Sequence, residues 1–261
     1  GFGVLYDMVN IVMDRIKRFF KKWFNKRYRF SMEAPRRMRL QTKIVLSASA
    51  SLIILGMLAF LLFERYASPG GSAGSTGVLD ALFQSITART AGFNTVDISA
   101  MSPSSKLILI LLMFIGGSPG STAGGIKTVT LAVVIMIAIA ALRKRQEVEM
   151  FHRSVRIVVV GRAITVTLLF ATVLVATTLA LSVSENSNGF NISDIAFEAA
   201  SALGTVGLTT GITPLLTTGG KLIIIAAMLI GRLGPLTLLA ALTFNLRPAK
   251  YNYPDEAIIV G

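Results

Sequence analysis

Ile44–Phe63 reads IVLSASASLIILGMLAFLLF, which is twenty residues without a charged side chain. A second uncharged run, Ala163–Ser184, is 22 residues long. Because about 20 apolar residues span the hydrocarbon core of a bilayer, both runs predict membrane-spanning helices. The composition agrees, since 53% of the chain is hydrophobic and 15% is charged, against about 25% charged in soluble domains. The sequence therefore predicts an all-α membrane protein and argues against an ordinary water-soluble enzyme.

Basic residues cluster beside these apolar runs. Of the 26 Lys and Arg residues, twelve lie in residues 15–43 and six in residues 143–162. Because cytoplasmic loops are enriched in Lys and Arg, we place these segments and residues 247–250 in the cytoplasm, and residues 64–104 and 185–220 outside. We predict a multi-pass plasma-membrane protein whose basic segments contact lipid. No nucleic acid is expected as a partner, because the charge is not carried by a soluble folded module.

Cysteine and histidine usage narrows the chemistry. The chain has no cysteine and one histidine, His152. This excludes disulfides, thiol catalysis and cysteine-ligated zinc, and it leaves little for imidazole chemistry. We therefore predict no enzyme reaction and no catalytic residue. Gly1 is not an initiator methionine, so we expect the chain to be the back part of a longer protein.

The second half of the chain echoes the first at an offset of 115 residues. The matched positions are Thr90, Gly92, Thr95, Lys106, Met113, Ile115 and Gly116 with Thr205, Gly207, Thr210, Lys221, Met228, Ile230 and Gly231. Each unit predicts a spanning helix, an outside loop, a short apolar stretch, a Gly/Thr loop and a second helix. Two spans bring the chain back to the same side, so the units are parallel repeats rather than inverted ones.

The short stretches Leu79–Ala88 and Asp194–Leu203 are too short to cross a membrane, and we predict that both are re-entrant. Each leads into a Gly/Thr loop, residues 90–95 and residues 205–210. Irregular backbone at membrane depth is tolerated only where it is buried in protein or lines water. Glycine accepts the positive φ that turns successive carbonyls the same way, and carbonyl oxygens can replace the hydration shell of a monovalent cation. The paired loops therefore predict a cation pathway.

A charge-poor stretch, Lys106–Leu142, is too long for one straight helix. Its 37 residues would run about 55 Å at about 1.5 Å each, and the core is about 30 Å thick. We place the break at residues 116–125. These residues are Gly116, Gly117, Ser118, Pro119, Gly120, Ser121, Thr122, Ala123, Gly124 and Gly125. Such a break is either a kink between packed helices or a mobile gate in a water-lined path, and we favour the gate.

Two arginines stand out in apolar surroundings. Arg232 should face the protein interior or water, because a charge at the bilayer centre is costly. We expect it to hydrogen-bond carbonyls freed by the break, either as a structural contact or to hold the gate shut. Arg89 should point behind its loop and pair with an outer carboxylate. The candidates for that carboxylate are Asp80, Asp97 and Glu198.

Two other functions compete with a cation pathway. Residues 116–120 match the G-x-S-x-G pattern of serine hydrolases, but that motif needs a preceding strand and a histidine base. An intramembrane serine hydrolase is therefore disfavoured. A secondary solute carrier with discontinuous helices would bind substrate at midmembrane, whereas parallel repeats with loops on one side favour a pore. Saturable flux of an organic solute would favour the carrier.

At these motifs the chain resembles the Ktr/Trk/HKT superfamily of potassium transporters, nearest to the KtrB type of ion-conducting subunit. Residues 88–95, 116–125, 204–210 and 231–235 carry the resemblance. Members of this superfamily have four helix–pore loop–helix repeats around one pore, and this chain matches the third and fourth. The resemblance implies the end of a preceding transmembrane helix plus a basic segment in residues 1–43. Pore repeats then follow in residues 44–142 and 163–246, with a cytoplasmic linker at residues 143–162 and a tail at residues 247–261.

The resemblance also implies roles for residues. The K⁺ filter would be lined by the backbone of Thr90, Ala91, Gly92, Phe93, Thr205, Val206, Gly207 and Leu208. Residues 116–125 and Arg232 would form the gate below it. Because a complete filter needs four loops, this half should not conduct alone.

The same resemblance implies partners. They are the missing first two repeats, a second copy in a homodimer, and a KtrA-like cytoplasmic ring of nucleotide-binding regulatory subunits. No cofactor is expected to be bound by the chain. K⁺ is the permeant ion, and Na⁺ is raised as a coupling ion without a site that these residues locate.

Overall fold

The computed structural model describes residues 2–24, 38–67, 77–145, 147–151 and 153–234. Within these residues the chain is mostly helical, with one short hairpin. The elements in chain order are α1 (Phe2–Phe24), α2 (Leu40–Ala67), α3 (Val78–Thr87), α4 (Pro103–Phe114), α5 (Thr128–Leu142), β1 (Glu149–Met150), β2 (Arg153–Ser154), α6 (Ile157–Ser184), α7 (Ile192–Gly204) and α8 (Thr218–Leu233). Several predicted features lie outside the described residues. They are residues 25–37 of the basic segment, His152, residues 235–246 of the second pore repeat, and the tail at residues 247–261.

The helices fall into two similar series, α2 to α5 and α6 to α8. In each series a long helix is followed by a short helix, an irregular segment and another helix. Helix α4 begins at Pro103 and α8 at Thr218, which are separated by the offset of 115 residues seen in the sequence. The order of elements therefore follows the repeat in the sequence.

Helices α2 and α6 are long and apolar enough to cross a membrane. Their most apolar windows are only 22% and 11% buried within the protein, whereas the core helix of a soluble protein would be mostly buried. Large apolar side chains such as Leu55 and Leu168 are each 63% exposed. These surfaces suit a lipid environment, because burying apolar side chains away from water is the main favourable contribution to folding.

Several predicted boundaries differ from the observed ones. Helix α1 continues to Phe24, well into the predicted basic segment, and α2 begins at Leu40 rather than at residue 44. Helix α6 begins at Ile157, inside the predicted linker 143–162. An uncharged run underestimates a helix, because backbone hydrogen bonding continues into polar flanks. The linker also holds the β1–β2 hairpin, which departs from a purely α-helical chain.

Side-chain caps start α4 and α8, the third helix of each series. The Ser102 hydroxyl accepts a hydrogen bond from the Ser105 amide at 3.1 Å at the start of α4. The Thr217 hydroxyl does the same for the Gly220 amide at 3.1 Å at the start of α8. Such caps satisfy amides that have no partner within the helix. They fix where each helix begins after the irregular segment that precedes it.

A buried carboxylate stands next to each of these helix starts. Glu64 is 4% exposed and accepts a hydrogen bond from the Ser105 hydroxyl at 2.5 Å. Glu185 is 1% exposed and accepts hydrogen bonds from the backbone amide and the hydroxyl of Thr217. Burial raises the pKa of Glu185, but the hydrogen bonds from Thr217 and Asn188 outweigh it and lower the pKa overall. Glu64 therefore ties the end of α2 to the start of α4, and Glu185 ties the end of α6 to the start of α8.

The short helices lie in the middle of the packing. Helix α3 packs against α2, and α7 packs against both α8 and α4. The main apolar cluster includes Phe60 and Met113 from the first series and Phe197 and Val206 from the second. Since α4 and α7 belong to different series, the core joins the two. The irregular segment that follows α7 contributes Val206 and Leu208 to this core.

Candidate functional site

The segments after α3 and α7 have the same unusual backbone. Thr90 and Gly92 have φ values of 75° and 80°, and the matched Thr205 and Gly207 have 52° and 94°. A positive φ is rare for a residue with a side chain. The same two positions of both segments therefore share this backbone shape. We call residues 90–93 the first loop and residues 205–208 the second loop.

The two loops lie against each other. A Cβ atom at Gly207 would stand 3.8 Å from the Cα atom of Gly92, and one at Gly92 would stand 3.6 Å from the Cα atom of Gly207. A Cβ atom at Gly92 would also collide with the carbonyl oxygen of Val206. The two glycines therefore face each other with no side chain between them. Gly207 is exposed while the neighbouring Val206 and Leu208 are buried, so the second loop presents its glycine backbone outward from a packed base.

The first loop is braced by a single hydroxyl. The Thr87 hydroxyl donates to the carbonyl oxygen of Phe93 and accepts from the Phe93 amide at 2.9 Å. The Thr87 carbonyl oxygen also accepts from the amides of Ala91 and Gly92 at 3.0 and 3.3 Å. The last residue of α3 thus closes the loop back onto the helix. The Phe93 side chain is 72% exposed.

The second loop is braced by a carboxylate that sequence reasoning had assigned elsewhere. Glu198 is 5% exposed and accepts from the hydroxyls of Thr209 and Thr213 at 2.6 and 2.8 Å. It also accepts from the amide and hydroxyl of Thr210 at 2.9 and 3.2 Å. Glu198 is the second acid of an apolar short helix and is followed by several threonines, which is the signal that the sequence offers. Charged acceptors make stronger hydrogen bonds than neutral ones, so this brace is tight.

The predicted pairing of Arg89 with an outer carboxylate is wrong. Its guanidinium donates to the carbonyl oxygen and the hydroxyl of Ser49, both at 3.4 Å. The three candidate carboxylates have other partners. Asp80 accepts from Thr95, Glu198 accepts from the threonines after the second loop, and Asp97 accepts from Ser99. The hydrogen bonds from the side chain and backbone of Ser99 lower the pKa of Asp97.

Between α4 and α5 the helix is interrupted over the residues that the sequence predicted. Ile115 and Ile126 form an isolated parallel bridge, with the Gly116 amide donating to the Ile126 carbonyl oxygen at 2.9 Å. The Thr128 amide donates to the Gly117 carbonyl oxygen at 3.1 Å. The interruption is therefore a closed loop whose two ends are joined, and a kink is excluded. We call residues 116–125 the break loop.

Glycines allow the break loop to close. A Cβ atom at Gly116 would collide with the carbonyl oxygen of Gly124, and Gly125 has a φ of 71°. Side chains at these positions would push the two ends apart, since atoms in a packed interior have no free space between them. Gly116 and Gly125 are therefore steric requirements of this closure.

The break loop touches the second loop. The Gly124 amide donates to the Thr205 hydroxyl at 2.9 Å. A Cβ atom at Gly124 would stand 2.6 Å from the carbonyl oxygen of Gly204. The break loop is thus bound directly to the base of the second loop, across the boundary between the two series. No pattern in the sequence indicated this contact.

Two cations hold successive carbonyls of the break loop. Arg232 donates to the carbonyl oxygen of Thr122 at 2.7 Å, and Lys127 donates to that of Ala123. Arg232 therefore makes the expected contact with a carbonyl that the break frees from helical bonding. Ser118, the serine of the G-x-S-x-G pattern, follows helix α4 rather than a strand, so the hydrolase motif lacks its structural context.

Metal-binding side chains do not cluster in this region. Among the described residues, no group of three or more His, Cys, Asp or Glu side chains could hold a metal ion.

The comparisons with known proteins agree with one another. Residues 1–252 match the TrkH family, described as cation transport protein. The chain is 40% identical over 230 residues to the potassium/sodium uptake protein NtpJ of Enterococcus hirae, which covers 87% of this chain and 51% of that protein. It is 38% identical over 226 residues to the Ktr system potassium uptake protein B of Bacillus subtilis, which covers 85% and 49%. The chain thus spans about half the length of these relatives.

A solved structure has a similar fold. The potassium transporter TrkH from Vibrio parahaemolyticus matches with a TM-score of 0.59 and 25% sequence identity. The match covers 78% of this chain and 44% of that one.

Proposed function

This chain belongs to the TrkH family of cation transport proteins, and from that membership we propose that it is half of the ion-conducting subunit of a K⁺ uptake system. It is a multi-pass protein of the plasma membrane, as members of this family are, and its helices α2 and α6 are long enough to cross. It is a cation transporter of the Ktr/Trk type. We propose that K⁺ is the ion that this protein conducts, and the residues that select K⁺ are also part of our proposal.

The contact between Gly92 and Gly207 carries this proposal. The two glycines meet without an intervening side chain, at the same positive φ in both loops. We assign Thr90–Phe93 and Thr205–Leu208 to two walls of a filter, whose backbone oxygens replace water around a dehydrated K⁺ ion. Negatively polarised C-terminal ends of α3 and α7 would favour a cation there.

The break loop is our candidate for the gate. Its hydrogen bonds to Thr205 and Arg232 place it between the second loop and helix α8. We propose that release of the Arg232 contact lets residues 116–125 move and opens the path below the filter. The cationic side chain would also repel K⁺ while the contact is made.

The proposal extends to partners by analogy with relatives. The chain covers about half of the Ktr system protein B of Bacillus subtilis, so we propose that two further repeats complete the filter. We also propose that the full subunit forms a homodimer on a cytoplasmic nucleotide-binding ring. We further propose coupling to Na⁺, as the name of the Enterococcus relative suggests.

Complementation tests the proposed function. The full-length subunit is expressed in a strain that lacks its own K⁺ uptake, and growth at low K⁺ and Na⁺ exclusion are measured beside Gly207→Ser. A side chain at a φ of 94° costs about 1–2 kcal/mol, so we expect the variant to lose K⁺/Na⁺ discrimination by about a factor of ten.

Gly211→Ser is the matched control. Gly211 has a φ of 95° and nothing within 4 Å of an added Cβ atom, so it shares the strain of Gly207 without the contact to Gly92. A Gly207→Ser subunit that rescues growth and still excludes Na⁺ would argue against a filter at this loop. Saturable flux of an organic solute without K⁺ flux would instead indicate a secondary carrier.

A further inference from the structure

Four charged residues form two copies of one pattern. The third residue of each short helix is an aspartate, Asp80 in α3 and Asp194 in α7. The fourth residue of the helix that follows is a lysine, Lys106 in α4 and Lys221 in α8. Each unit of the repeat therefore carries one acid and one base at equivalent positions.

One acid and one base of this set meet across the two units. The ammonium nitrogen of Lys106 lies 2.8 Å from a carboxylate oxygen of Asp194, and their side chains are 8% and 15% exposed. Lys106 also donates to the carbonyl oxygen of Ser99 at 3.2 Å. Because breaking a buried ion pair leaves an uncompensated charge, such a pair strongly restricts which surfaces can pack together. It joins the last part of the first unit to the short helix of the second.

The other acid and base have no such partner among the described residues. Lys221 is exposed, and no hydrogen bond or ion pair of its side chain is found there. Asp80 accepts only from the Gly77 amide at 3.2 Å and the Thr95 hydroxyl at 3.3 Å, which are neutral donors. The contact between the units is head-to-tail, because the base of one unit pairs with the acid of the other. The residues left unpaired at the two ends, Lys221 and Asp80, are therefore a base and an acid that can pair with further units of the same kind.

We propose that Lys221 and Asp80 are the open halves of two further ion pairs that close a ring of four units. The partners of Lys221 and Asp80 in these ion pairs are two further units of the same fold on the same polypeptide. One offers an acid at the third residue of its short helix to Lys221, and the other offers a base at the fourth residue of its later helix to Asp80. The inference rests on the proposed four-repeat subunit and adds the contact that closes it.

The length of the relatives supports this occupant. The chain spans 51% and 49% of two of them, which leaves room for two more units. The Lys106–Asp194 pair is the template, since its partners stand at the same helix positions as the open residues. A second copy of this chain would present the same two charges, and the experiment below separates the two cases.

Cross-linking in the full-length subunit tests the inference. The chain has no cysteine, so Lys221→Cys is paired with a cysteine at the third residue of the short helix in the first of the four proposed units, which is one of the two units outside this chain. We expect a short bismaleimide to link the two within one polypeptide. Lys106→Cys with Asp194→Cys is the reference pair. Leu222→Cys, at a neighbouring position that is 62% exposed and turned about 100° around the helix, should give no link.

Absence of the Lys221 link, when the reference pair is linked, overturns the inference. A link that doubles the molecular mass also overturns it and points to a second copy. Because cysteine variants can misfold, charge exchange gives an independent result: Lys221→Asp should lower the amount of folded subunit, and a lysine at the partner acid should restore it. Failure to restore it contradicts the pair. A linked subunit that carries no K⁺ would refute the proposed function and leave this contact standing.

Discussion

The two loops reach the same backbone shape with different supports. The first loop is closed by the neutral hydroxyl of Thr87, and the second by the buried carboxylate of Glu198. The position that matches Glu198 in the first unit is Phe83, and the one that matches Thr87 in the second is Ala202. Only the positive-φ residues are shared. The difference teaches that the repeat preserves backbone geometry and lets the supporting side chains vary.

The two units also differ in the helix after the loop. Helix α4 ends at Phe114 and the chain enters the break loop, whereas α8 continues through the matched position to Leu233. Gly231, the match of Gly116, packs against the carbonyl oxygen of Leu203, and Arg232 then reaches back to the break loop. One unit therefore supplies the irregular segment and the other supplies contacts that hold it.

The largest expected effect is the loss of K⁺ uptake in Gly92→Ala, which should exceed the loss in Gly207→Ala. Gly92→Ala places a side chain at a φ of 80° and against the carbonyl oxygen of Val206. The conformation costs about 1–2 kcal/mol and the overpacking about 1–3 kcal/mol. We expect K⁺ uptake by the full-length subunit to fall roughly 30-fold or more, since about 1.4 kcal/mol corresponds to a factor of ten. Gly207→Ala carries the strain alone and should lose less.

Gly189→Ala controls for strain in this series, because Gly189 has a φ of 64° and nothing within 4 Å of an added Cβ atom. It should transport K⁺ at close to the unmodified rate. Equal losses in Gly92→Ala and Gly207→Ala would show that the collision with Val206 is unimportant, and the asymmetry between the loops would have to be abandoned.

An intermediate effect is expected at the brace of the second loop. Glu198→Gln removes a charged acceptor of four hydrogen bonds, and bonds to charged groups contribute about 1.5–3 kcal/mol. We expect a lower midpoint of thermal unfolding in detergent together with weaker K⁺/Na⁺ discrimination in uptake assays. The first loop, which uses Thr87, should be unaffected.

Glu64→Gln provides the comparison for that variant. Glu64 is also buried and accepts from Ser105, but it lies near the end of α2 and contacts the start of α4 rather than a loop. It should lower the unfolding midpoint and leave discrimination unchanged. If both variants changed discrimination alike, Glu198 would be a general stabilising residue and not a support of the second loop.

Much of the fold could be predicted because its signals are local. The apolar runs at α2 and α6, the offset of 115 residues and the glycine-rich break all depend on residues close in sequence. The positive φ at Gly92 and Gly207 follows from what glycine permits. The ends of the helices were harder to predict from the sequence, as α1 and α6 show, because a helix can extend into polar flanking residues without a change in composition.

The contacts of the candidate site were harder to predict because they join distant residues. Gly124 and Thr205 are 81 residues apart, and no periodicity links them. The predicted carboxylate partner of Arg89 is wrong because it rests on charge alone, whereas the half-buried Ser49 of α2 supplies neutral oxygens instead. Glu198 was considered only as a partner for that arginine. Which oxygen accepts a hydrogen bond from a charged side chain depends on tertiary packing, and this cannot be read from the order of the residues.

The smallest expected effect concerns the contact between the break loop and the second loop. Thr205→Val keeps the shape of the side chain and removes the acceptor for the Gly124 amide. A neutral hydrogen bond contributes about 0.5–1.5 kcal/mol, so we expect a modest increase in K⁺ leak through the unstimulated full-length subunit, measured as ion flux in proteoliposomes.

Thr128→Val is the isosteric control at the other end of the break loop. The Thr128 hydroxyl is buried and has no hydrogen-bond partner among the described residues, so its removal breaks no bond and should leave the leak unchanged. If Thr205→Val left the leak unchanged as well, the Gly124 contact would be packing without a role in closure. Arg232, which holds the neighbouring carbonyl of Thr122, would then be the contact that restrains the break loop.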